Sequence, residues 1–67
     1  MKDYKKAIES RLLIDMYDPW NAKNYLQLGV DYKYLGDFNS MLEQRNRILK
    51  FAPNSEEAKT AITVLVN

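Results

Sequence analysis

Moved 34 residues along itself, the chain lays DYKKAIESRLLIDMYDP over DFNSMLEQRNRILKFAP. Asp3 falls on Asp37, Glu9 on Glu43, Arg11 on Arg45, Ile14 on Ile48, Pro19 on Pro53 and, farther on, Val30 on Val64. These are six identities in 33 overlapping positions. Chance would give roughly two, since an average residue type fills about one position in twenty. Tyr4 meets Phe38, Ile8 meets Leu42, Tyr17 meets Phe51, Leu28 meets Ile62 and Tyr32 meets Val66, so apolar character is kept as well. A period of this length means a unit that cannot bury its apolar face alone and stacks on its own copy.

The punctuation of each copy reads as helices. The first is expected at about 3–17, with Asp3 as its cap and Pro19 beyond its end. The second runs 22–35, after Asn21, and stops at Gly36 in a left-handed turn. The third runs 38–51 from the cap Asp37 to the residues before Pro53. The fourth is expected at 56–66, capped by Asn54 or Ser55, with Glu56 and Glu57 at its positive end. Only the β-branched stretch TAITVLV invites a strand, and it has no other strand to pair with. The expected architecture is all-α, a single domain of antiparallel helix hairpins. In it, residues 1–21 and 56–67 are partial repeats around a full one at 22–55. Gly29 is the odd residue, costing about 1 kcal/mol inside a helix. It is expected to let the second and third helices approach closely, with Met41 facing it.

Composition narrows the function. At 67 residues the chain buries only about 60% of its unfolded surface, and it has no cysteine to staple it. Without histidine or cysteine the usual base, metal ligand and thiol nucleophile are missing. Glu9, Asp15, Asp31 and Glu43 are expected on open helix surfaces, so no enzyme, cofactor or metal site is expected. Ten basic and nine acidic side chains leave a net charge of +1, too balanced for electrostatic nucleic-acid binding. The basic run Lys2, Lys5, Lys6 is interrupted by Asp3 and reads as solvated surface. No apolar run approaches the ~20 residues of a membrane span, and MKDYKKAIES has no signal-peptide core. A cytoplasmic chain is the expectation.

Residues 22–54, AKNYLQLGVDYKYLGDFNSMLEQRNRILKFAPN, resemble the tetratricopeptide repeat (TPR), a 34-residue helix–turn–helix unit. Its aromatic, Leu-Gly, Tyr, Gly-Asp-aromatic, small, apolar and Pro slots hold Tyr25, Leu28–Gly29, Tyr32, Gly36-Asp37-Phe38, Met41, Ile48 and Pro53. The departures are Met41 in a slot usually filled by alanine, and Arg11 and Arg45 where a bulky apolar residue is usual. The stems of those two arginines are expected to pack while the guanidinium finds water or a carboxylate.

The resemblance implies a non-catalytic protein-interaction scaffold whose first helices line a concave groove. Lys23, Leu26, Gln27, Val30 and Lys33 would face it, followed by Glu57, Thr60, Ala61, Val64 and Asn67. With Leu26 and Val30 in two of the places, the lysine–asparagine pattern that holds a C-terminal carboxylate is absent. The alternative is self-assembly. Leu12, Leu13 and Met16 on the first helix and Leu65 at the end of the last are apolar where solvent would favour polar residues. They would pack between chains as a dimer or a head-to-tail oligomer, residue 67 and residue 1 being nearly consecutive in the repeat frame. The partner is then a protein, a peptide or a second copy, rather than nucleic acid or membrane.

Overall fold

Each helix begins where a side-chain oxygen meets an otherwise orphaned backbone N–H. Asp3 accepts from the Lys6 N–H, Asn21 from Asn24, Asp37 from Ser40 and Ser55 from Ala58. Caps of this kind contribute roughly 1 kcal/mol each. The computed structural model describes residues 3–66, which form four helices and no strand: α1 Tyr4–Tyr17, α2 Ala22–Leu35, α3 Phe38–Phe51 and α4 Glu56–Val64. The expected boundaries hold for the first three helices to within a residue. Helix α4 ends two residues early, at Val64, with Leu65 as its cap. The β-branched Ile62, Thr63 and Val64 weaken its last turn. That turn is closed by Lys33, whose Nζ donates to the Val64 carbonyl oxygen at 2.8 Å. A cation is favoured there by the negative end of the helix dipole.

The chain turns between α2 and α3 in two residues, which forces them into an antiparallel hairpin. Gly36 adopts φ +89°, the left-handed region that favours glycine, and the Asp37 N–H returns to the Tyr32 carbonyl. Helix α1 packs on α2, and α4 packs on both α2 and α3. The described residues span 33 × 29 × 18 Å, and the short dimension admits two helices in depth. This is a stack of helix hairpins, with α2 as the central element touched by every other helix.

Leu28, Met41, Ile48, Ala58, Ala61 and Leu65 are completely buried, with Ile8 and Tyr25 beside them. The close approach at Gly29 is made by α4 rather than by α3. The group pressed against it is the tip of Leu65 at the end of α4, not an α3 side chain. A Cβ built on Gly29 would lie 2.5 Å from Leu65 Cδ1 and 3.2 Å from its Cγ. Gly29 admits the fourth helix to the stack, and Met41 is buried without being its nearest neighbour.

Candidate functional site

Three polar residues occupy one stripe of α2, at Asn24, Gln27 and Asp31, and all three grip Arg11 of α1. Arg11 Nε donates to Asp31 Oδ2 at 2.7 Å, and Arg11 Nη1 donates to Gln27 Oε1. Asn24 Nδ2 donates to the Arg11 backbone carbonyl at 2.9 Å. Asn24 and Asp31 are buried, and the Arg11 guanidinium is partly exposed. The expected structural role of Arg11 is therefore seen, a packed stem with its head on a carboxylate. Asp31 departs from the reading as an open surface carboxylate. It sits inside the α1–α2 seam because Arg11 compensates its charge there.

Beside this clamp lies a cavity of about 420 Å³ between α1 and α2, lined by Asp3, Tyr4, Ala7, Arg11, Val30 and Tyr34 among others. Tyr4 and Tyr34 stack at its edge, with ring centroids 5.4 Å apart. At the other side of the α2–α3 hairpin, Trp20, Tyr25 and Phe51 form an edge-to-face cluster, and the Arg47 guanidinium lies 5.5 Å from the Tyr25 ring centre. The Tyr25 hydroxyl donates to the Pro19 carbonyl at 2.6 Å. Burial pushes its pKa above the ordinary phenol value, and the Asp15 carboxylate adds to the shift. Burial likewise raises that of Tyr32, with Asp37 and Glu43 contributing. Both phenols stay neutral at physiological pH. The signal for this cluster, aromatic residues flanking both prolines, was in the sequence, but no spacing rule joins Trp20 to Phe51.

The residues expected in the concave groove do not all remain available. Gln27 is held by Arg11, and Lys33 is committed to the Val64 carbonyl. Ala61 is completely buried, because α4 turns that face toward the α2–α3 hairpin. Lys23 and Thr60 are exposed, and Leu26, Val30, Glu57 and Val64 are half-buried. Asn67 and Lys2 lie outside the described residues.

The residues expected between chains divide in two. Leu65 does not face outward; it fills the space over Gly29 inside its own chain. Leu12, Leu13 and Met16 are exposed on α1, joined there by Ile14 and Tyr17. Leu13 is 57% and Tyr17 85% exposed. At the opposite end of the stack Ile62, on α4, is 52% exposed. Sequence reading missed Ile14, Tyr17 and Ile62, since the first two have buried or half-buried copies in α3 and the third a buried copy in α2.

Among the described residues no group of acidic side chains is arranged to hold a metal ion, and no helix is long and apolar enough to cross a membrane. Compared with protein-family models, curated proteins and solved structures, the chain matches none.

Proposed function

We propose that this chain is a non-catalytic protein-interaction module, a short TPR-like stack that engages another protein by packing helix against helix. One observation carries this reading: the row Leu13, Ile14, Met16 and Tyr17 on α1 is exposed to solvent. Four large apolar side chains on one helix flank are more than scattered surface residues, and such a patch marks an interaction site. Its geometry is that of a helix-receiving face, in which residues three and four apart form the ridge that a partner helix straddles. The polar grip on Arg11 holds α1 firmly on α2, so the row is presented on a fixed support.

The concave face is the weaker of the two surfaces. With Gln27 and Lys33 used internally and Ala61 buried, it offers Lys23, Leu26, Val30, Glu57, Thr60 and Val64 to a ligand.

The test uses an amphipathic helical peptide made only of leucine and lysine, titrated into isotope-labelled protein. Amide shifts are expected along residues 12–17, and Leu13→Glu with Tyr17→Glu should abolish them while leaving helical circular dichroism unchanged. Shifts confined to the Lys23–Lys33 face would transfer the function to the groove. An unresponsive spectrum would discard the interaction reading.

A further inference from the structure

The repeat supplies its own template for what covers α1. Inside the chain, α2 packs on α3: Tyr25 meets Arg47 and Phe51, and Leu28, Tyr32 and Ile48 belong to the same core. Shifted by 34 residues, the receiving flank on α3 becomes Leu13, Ile14 and Tyr17 on α1. Shifted the other way, the inserting side of α2 becomes Lys59, Ile62 and Val66 at the end of the stack. The internal interface is closed, with Leu28 and Ile48 completely buried. Its two copies are each half an interface and each open: Ile62 is exposed at one end and Ile14, 42% exposed, at the other.

We propose that the partner of the α1 flank is α4 of a second copy, seated antiparallel as α2 is seated on α3, so that copies add head to tail. This rests on the reading of α1 as a helix-receiving face and names its occupant.

Two exchanges of side chain show that the open halves still fit. In the internal interface Tyr25 of the inserting helix meets Phe51 of the receiving one edge-on. At the joint between copies the same two places hold Lys59 and Tyr17, so a cation meets an aromatic ring where two rings met. The second exchange concerns size. Gly29 faces the bulky Leu65 inside the chain. The corresponding places between copies are Thr63 and Asp31, a larger residue replacing glycine where a shorter one, already charge-paired with Arg11, replaces leucine.

A contact of this kind is heterologous, so each addition leaves a fresh inserting end and a fresh receiving end. That property gives a test no two-fold dimer can pass. Ile62→Glu removes the inserting half and Leu13→Glu the receiving half, both at exposed positions. Sedimentation of the unmodified chain should show mass rising with concentration, without a plateau at two. Each variant alone should remain a single chain, and their equimolar mixture should form a two-chain species and go no further. Circular dichroism checks that both variants are folded; if Ile62→Glu is not, Val66→Asp takes its place in the same mixing experiment. A chain that stays monomeric at every concentration, a two-fold dimer, or an assembly indifferent to Ile62→Glu would overturn the proposal. Binding of the leucine–lysine peptide to α1 in those cases would show that the receiving face is real and only its occupant was wrong.

Discussion

The two seams of this molecule are copies of one another, and they are built of opposite materials. Where α1 meets α2, the stripe on the later helix is Asn24, Gln27 and Asp31; where α3 meets α4, the same positions are Ala58, Ala61 and Leu65. Each seam keeps an arginine from the earlier helix. Arg11 has three α2 residues around it, whereas Arg45 has its Nε buried with no acceptor among the described residues. One repeat thus solves the packing problem by charge pairing and the other by close apolar contact. The comparison separates what the arginine does from where it sits: the slot tolerates a guanidinium in both copies, but only the first copy gives it a partner.

The sharpest way to test this contrast is at the apolar seam. Leu65→Ala opens space over Gly29 and removes the large buried side chain at the cap of a helix only nine residues long. A loss of about 3 kcal/mol is expected in urea denaturation, within the usual range for such truncations. A loss under about 1 kcal/mol would mean that α4 contributes little to the stack.

At the polar seam, Arg11→Leu leaves the Asp31 carboxylate buried and unpaired. The expected cost is about 2 kcal/mol, reduced from that of a fully buried pair because water reaches the guanidinium side. Adding Asp31→Leu should restore more than half of it, since the seam then resembles its apolar copy. Additive losses in this double-mutant cycle would break the idea that the two residues act as a unit. The smallest effect is expected at Arg45→Leu, which removes a buried donor without an acceptor. Stability measured by thermal unfolding should change by less than about 0.5 kcal/mol or rise. A loss comparable to that of Arg11→Leu would show that the two arginines are equivalent after all.

The architecture was legible because it is written in local signals. Asp3, Asn21, Asp37 and the Asn54–Ser55 pair mark helix starts, Gly36 marks a stop, and the constant 34-residue offset says that what happens once happens again. Contacts between distant residues were less legible. Gly29 announces a close approach, yet nothing in its neighbourhood says whether α3 or α4 makes it; that depends on how the last helix crosses the hairpin. Asp31 and Leu65 share a repeat position, and the burial of one charged and one apolar residue there follows from Gln27 and Arg11, which lie four and 20 positions away from Asp31 in the chain. The exposed row on α1 is half visible in the sequence: Leu12, Leu13 and Met16 differ from the polar residues of their copies, while Ile14 and Tyr17 match apolar copies and carry no such contrast.

Trp20 is the only tryptophan in the sequence, and its ring meets Phe51 edge-on at 5.5 Å, in a hollow lined by Pro19, Tyr25, Arg47 and Lys50 and by no residue of α4. Intrinsic fluorescence therefore watches one side of the molecule. Detachment of the final helix would pass unnoticed in emission while helical ellipticity fell, so disagreement between the two signals during denaturation would be the optical signature of a stack that peels from its C-terminal end.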